Sequence, residues 1–266
     1  MSVSGTPPTP PKIDDPEAWL AELDLILRAA DALVNNVSVE RCSGAQVAAL
    51  ALLARSTNQV RAVSVLVRAG HVVEARVIAR CLVENLFLAT ALKEDPAGTV
   101  KKLEADHHQS RRARGTKILK NARAFSGAQR EQVREEIKRM EAELAKPRFL
   151  TPSDLAASTS AGEAYHVYAQ LSADSAHASI DALERHVIKD PEGELSGICV
   201  EPELASDEEA ETLGWGCMAM LHIILAIRDL AGAAGANLEI EAAREGYFAI
   251  VHPSADLNED KDSAHQ

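Results

Sequence analysis

Apolar residues recur with helical spacing through most of this chain. The first such segment runs from about residue 14 to residue 36. It begins with Asp15, which suits a helix cap, and Pro16, which suits the first turn. The apolar residues near one of its faces are Trp19, Leu20, Leu23, Leu27 and Leu33. Because the opposite face is polar, the pattern predicts an amphipathic helix packed against a core.

The next two apolar segments predict a pair of packed helices. They cover residues 44–69 and 71–93, and Gly70 between them suits the left-handed residue that ends many helices. The second segment is apolar almost all round, so we expect it to be buried. The short link favours an antiparallel hairpin.

Beyond residue 93 the pattern predicts further helices and one irregular segment. Ser206 and Glu209 have the spacing of a capping box at the start of a helix. The predicted segments are charged helices at 97–123 and 127–146, a loop or short helix at 151–162, a helical stretch at 163–188 broken near 172–174, an irregular stretch at 190–202 with a short strand at 198–200, and helices at 206–231 and 239–251. The predicted fold class is therefore all-α, a single bundle-like domain of about eight helices.

The ends of the chain differ from its middle in composition. Residues 1–13 are rich in Pro, Ser and Thr and predict a disordered tail, and residues 253–266 predict a disordered acidic tail. The helical domain is predicted over 14–252. The longest apolar run, 217–227, is too short to cross a bilayer, so no membrane contact is expected.

Composition favours an intracellular protein. The chain has 266 residues, of which 46% are hydrophobic and only 3% aromatic, and none of its four cysteines forms a C-x-x-C pair. Unpaired thiols are typical of a reducing compartment. The first eleven residues lack the basic start and apolar centre of a signal peptide. We therefore expect a cytoplasmic location.

The net charge of −12 is unevenly distributed. Residues 101–150 contain 14 Lys and Arg but only 7 Asp and Glu, so the rest of the chain carries the acidic excess. An acidic surface repels phosphate, so nucleic acid is not expected as a partner except through the 101–148 basic block. The sequence does not identify a partner, and it is compatible with a homo-oligomer.

Two apolar helical segments carry polar residues where a core is expected. In the first, Arg80 and Glu84 are four residues apart and can pair. In the second, Tyr168, Ser172 and His177 follow one another at roughly helical spacing. Unpaired polar groups are costly inside a protein, so we expect the five side chains to form one cluster, with Arg80 or Glu84 in direct or water-bridged reach of Ser172 or His177.

This cluster has two interpretations. In the structural one, Arg80 and Glu84 form an intrahelical ion pair, Ser172 caps a helix, and His177 is a hydrogen-bonded core residue. In the functional one, Glu84 holds Arg80 ready for an anionic ligand, and His177 acts beside it as a general acid or base. Both interpretations stay open.

No cofactor or metal site is predicted. Glu104 and Asp174 each precede a histidine, His107 and His177, by three residues, but such matches are expected by chance in a chain this rich in acids. A di-iron helical bundle needs two such motifs and two further glutamates. Phosphate-loop and dinucleotide-binding motifs are also missing from the sequence.

Two stretches carry a family resemblance. Residues 71–84, with Arg80 and Glu84, and the pattern Tyr168-x-x-Leu171-Ser172-x4-His177 resemble the bacterial DUF5677 family over about residues 45–235. The family's aromatic residue after the turn glycine is replaced here by His71. The resemblance implies an all-helical fold with a recurring polar cluster, and it implies no reaction.

The sequence therefore predicts an uncharacterised helical protein with a polar cluster between its helices. One alternative is a nuclease-like defence or toxin enzyme that cleaves RNA, similar to HEPN ribonucleases. Their motif is an arginine and a histidine separated by four to six residues, and no histidine in this chain has such an arginine before it. Arg80 would then have to supply the cation from another helix. The second alternative is an interaction module that docks partners through 97–146.

Overall fold

A computed structural model describes residues 13–38, 40, 42–121, 125–143, 149–173, 179–202, 204–232 and 234–253. Over these residues the fold is all-α, as predicted, with one small hairpin. The helices are α1 (Pro16–Asn35), α2 (Gly44–Arg68), α3 (Val72–Glu94), α4 (Pro96–Lys120), α5 (Gly127–Glu143), α6 (Pro152–Ala157), α7 (Tyr165–Leu171), α8 (Ile180–Glu184), α9 (Glu208–Ala231) and α10 (Asn237–Val251). The strands are β1 (Val187–Lys189) and β2 (Leu195–Ile198), and short 3-10 turns cover Gly162–Ala164 and Ala234–Ala236.

Helices α1 and α2 begin at capping residues, and a glycine turn separates α2 from α3. The Asp15 side chain accepts a hydrogen bond from the backbone N–H of Glu17, and Ser43 forms a reciprocal capping box with Gln46. After α2, Gly70 takes a left-handed conformation with φ of 78°. This turn leads directly into α3, which packs against α2 as a helical hairpin.

Helices α3 and α9 form the centre of the bundle. They pack against each other and against α2, while α1 lies on α9 and is covered by α10. Leu82, Phe87, Leu213 and Ile224 are completely buried at this centre. Burial on nearly all sides of α3 agrees with its apolar pattern.

Helix α9 agrees with the helix predicted over 206–231 and extends beyond the 217–227 apolar run at both ends. With 24 residues, it is the one helix among the described residues that is long and apolar enough to cross a membrane. Buried residues make up 67% of its most apolar window, as in the core helix of a folded domain. Length and composition alone do not distinguish a membrane-spanning helix from a buried core helix.

Three local predictions need correction. The helical stretch predicted to reach 188 ends at Glu184, because Val187–Lys189 pairs as a strand with Leu195–Ile198. The predicted strand at 198–200 therefore lies earlier in the chain. Ser206 does not cap α9, since Asp207 takes the cap position without a side-chain bond. The predicted tails fall almost wholly on residues outside those described.

Helices α4 and α5 form a charged hairpin. They pack together where Gly115 lies against Ile137 and Val133. Arg111 and Arg112 pair with acids of α5, Arg111 with Glu136 at 2.8 Å. The basic side chains of α4 are thus partly neutralised by the neighbouring helix.

Candidate functional site

The Arg80 cluster joins α3 to α7. The Arg80 guanidinium donates through Nη2 to Glu84 Oε1 at 2.8 Å and through Nε to Ser172 Oγ at 3.0 Å. Its Cζ lies 5.3 Å from the centre of the Tyr168 ring. The structure therefore brings four of the five predicted residues together, and His177 lies outside the described residues.

The electrostatics of the cluster keep Arg80 charged. Partial burial alone would lower the pKa of Arg80, but its interaction with Tyr168 and the negative charge of Glu84 outweigh that effect and raise it. Only 18% of the Arg80 side chain is exposed. The guanidinium is thus mostly buried and bonded to Glu84 and Ser172.

A second buried arginine connects α3 to α9. Arg76 is 1% exposed and donates through Nη1 to Glu211 at 3.0 Å and to Thr212 at 3.3 Å. Its Cζ also lies 4.8 Å from the centre of the Trp215 ring. Arg76 lies one helical turn before Arg80 on α3, and no local sequence pattern indicates its partners on α9.

The residues from Ser160 to Ser172, which we call the wall segment, are held at both ends by α3. At one end, Glu94 accepts hydrogen bonds from the backbone N–H and the hydroxyl of Ser160. At the other end, Ser172 accepts from Arg80. Between them Phe87 packs near the rings of Tyr165 and Tyr168.

The wall segment closes one side of a large interhelical cavity. The cavity has a volume of about 850 Å³, which lies within the range of small-molecule sites. Its other sides are formed by α1, α3, α9 and α10. The main apolar lining residues are Trp19, Leu86, Val167, Trp215, Met218, Leu225, Tyr247 and Val251.

The cavity has an apolar interior and a charged rim. Trp19, Leu86 and Val167 are buried, whereas the charged lining residues other than the half-buried Glu211 are exposed. The polar residues of the lining are Asp14, Thr90, Lys93, Ser160, Glu163, His166, Asp207, Glu211 and His222. Glu211 and Trp215 belong both to the cavity and to the Arg76 contacts.

Helix α1 also carries a buried carboxyl group, which is not one of the lining residues. Glu22 is 2% exposed, and its Oε1 has no hydrogen-bond partner among the described residues. Burial raises the pKa of Glu22 to about 8. Burial and the nearby Glu22 also raise the pKa of Cys217. Glu22 follows Trp19 by one helical turn on the apolar face of α1, and that position was the signal for it in the sequence.

The described residues contain no group of three or more His, Cys, Asp or Glu side chains placed to hold a metal ion. Glu104 and His107 lie on α4. Asp174 and His177 are outside the part of the chain that the structure describes.

The fold and the cavity together define an all-α protein built around two central helices, with an interhelical cavity beside them. The chain belongs to the DUF5677 family, a family of unknown function whose model matches residues 46–195. No curated protein and no solved structure matches the chain significantly. The match ends before α9, so it includes the Arg80 cluster and the wall segment but not Trp19, Trp215 or Tyr247.

Proposed function

We propose that this protein binds a small, mainly apolar molecule in the interhelical cavity, and that the Arg80 cluster is a structural clamp rather than a catalytic centre. The observation that carries the proposal is the wall segment. It forms one side of the cavity and is held by Glu94 at one end and Arg80 at the other. In this view the polar cluster serves binding by fixing the shape of the cavity.

The four cysteines support a cytoplasmic location for this binding protein. Cys42, Cys81, Cys199 and Cys217 are all free thiols. Free thiols persist in a reducing compartment. The location is part of the proposal.

Two alternative functions remain predictions. An RNA-cleaving enzyme would need a cation free to meet phosphate, whereas Arg80 is paired with Glu84 and Ser172. An interaction module would use the α4–α5 hairpin, where Arg111 and Arg112 are paired with acids of α5. No contact among the described residues favours either function over ligand binding.

The proposal is tested with Nile red, an uncharged apolar dye that fluoresces when it leaves water. Ala226 on α9 and Ala164 in the 3-10 turn both line the cavity, so Ala226→Leu or Ala164→Leu places bulk inside it. We expect each variant to weaken dye binding severalfold. Ala128→Leu, on the exposed face of α5, should leave it unchanged.

The clamp is tested separately. Arg80→Met removes both polar contacts of the guanidinium but keeps much of the apolar stem. We expect faster amide hydrogen exchange in the wall segment and weaker dye binding. Dye binding that is identical in all the cavity variants and in the wild type would refute the binding function.

A further inference from the structure

We propose that the cavity selects an organic cation with an apolar body, such as an alkylammonium ion, because its aromatic interior opens at a rim of carboxylates that have no side-chain partner among the described residues. This inference rests on the proposed binding function and names the class of ligand.

The interior supplies surfaces that suit such a body. Trp19 and Tyr247 lie with ring centres 5.7 Å apart, and Trp215 lines the same space. Apolar contacts come from Leu86, Met218 and other lining residues. Aromatic rings also attract a cation through their negative faces, and such rings commonly surround quaternary ammonium groups.

The rim supplies the charge. Asp14, Glu163 and Asp207 are exposed lining residues, and their carboxylates have no side-chain partner within the described part of the chain. The one lysine of the lining, Lys93, pairs with Asp229 at 2.7 Å, a carboxylate that it shares with Arg228. Three carboxylates outnumber this one partly compensated lysine, so the charge at the opening is negative.

Helix dipoles oppose this field but do not cancel it. The amino ends of α1 and α9 lie near the rim, since Asp14 and Asp207 precede these helices. Each helix start is equivalent to about half a positive charge. Three full negative charges exceed the sum of two such partial charges, so the opening keeps its attraction for a cation.

The protein already places one cation of its own against this lining. The Arg76 guanidinium lies over the Trp215 ring and pairs with Glu211. An aromatic face and a carboxylate thus hold a positive group at the edge of the cavity. A ligand cation would meet the same two kinds of group at Trp19 or Tyr247 and at the rim.

The test compares three ligands of equal chain length below their micelle concentrations: decyltrimethylammonium, decanol and decanoate. Both tryptophans of the chain line the cavity, so intrinsic fluorescence reports its occupancy. Exposed charge pairs typically change affinity by about two- to fivefold each. We expect the cation to bind roughly tenfold more tightly than decanoate, with decanol between them.

The charge variants make the assignment specific. Glu163→Gln with Asp207→Asn should remove most of the preference for the cation, whereas Glu192→Gln with Glu201→Gln removes two exposed charges elsewhere and should preserve it. About 1 M sodium chloride, which screens charges beyond about 3 Å, should also reduce the preference. Circular dichroism checks that each variant is folded.

The possible results distinguish cation selection from ligand binding in general. If all three ligands bind equally, or decanoate binds best, the cavity is a binding site without cation selection and the inference is wrong. If none binds, the binding function itself fails. If the cation binds only after residues 1–12 are deleted, the cavity belongs to the chain's own amino-terminal segment and the inference is overturned.

Discussion

Glu22 offers the sharpest test of the structure, because its carboxyl group is buried and no ion pair to it is found among the described residues. Glu22→Gln replaces the carboxyl with an amide of nearly the same shape that cannot ionise. In the native protein burial raises the pKa of Glu22 from 4.5 to about 8. Between these two values the folded chain holds a proton that the unfolded chain has released, so the free energy of unfolding falls as pH rises.

The size of the effect follows from the shift. Each pH unit in the middle of this window lowers the free energy of unfolding by about 1.4 kcal/mol, so the wild type should lose about 2–3 kcal/mol between pH 5 and pH 7 through Glu22 alone. The loss ends near pH 8, where the native carboxyl also ionises. Glu22→Gln should be more stable than the wild type by about 3 kcal/mol at pH 7 and by about 1 kcal/mol at pH 5.

The assay is urea unfolding at several pH values, followed by circular dichroism. The two proteins differ only at residue 22, so the difference between the two curves reports on Glu22. Asp24→Asn removes a charge from the exposed side of the same helix and serves as the control. A difference between wild type and Glu22→Gln that stays constant from pH 5 to pH 8 would show that the carboxyl has no raised pKa.

Three further predictions concern the core and the cluster. Arg80→Met should lower the free energy of unfolding by about 1–2 kcal/mol in urea titrations, since two charge-assisted hydrogen bonds are lost; no change would mean that the clamp adds no stability. In Gly214→Ala the new Cβ would lie 3.2 Å from the Trp19 ring, so we expect a shifted tryptophan emission maximum, and an unshifted one would place the ring elsewhere. Cys217 is buried, and burial raises its pKa, so its thiol should react with Ellman's reagent only on unfolding, whereas Cys42 should react in the native protein. Equal reaction rates for the two thiols would contradict the burial of Cys217.

Sequence alone predicts the first three helices to within one or two residues of the structure. Their ends carry local chemical signals: the Asp15 and Ser43 caps and the Gly70 turn. The segment after Glu184 lacks such signals. A three-residue strand is too short to show an alternating pattern, and its pairing with β2 depends on contacts that no local window contains.

The cavity was beyond sequence analysis for a related reason. Its lining residues come from four long helices and the wall segment, so no local pattern marks it. The Arg80 cluster was easier to predict from the sequence, because charged residues in apolar helices need polar partners. Ser172 is such a polar residue in a second apolar segment. The partner of Arg76 was not predictable, because Glu211 lies 135 residues further along the chain.

The attachment of the wall segment to α3 has a mechanical consequence. Residues 80 and 94 are fourteen positions apart on one helix, so at 1.5 Å per residue the two anchors lie about 21 Å from each other. If either the Glu94–Ser160 or the Arg80–Ser172 contact breaks, the other still attaches the wall segment to α3. The released end can then rotate away from the cavity. A ligand would then enter after the two hydrogen bonds at Ser160, or the one at Ser172, are broken, while α1, α2, α3, α9 and α10 stay packed.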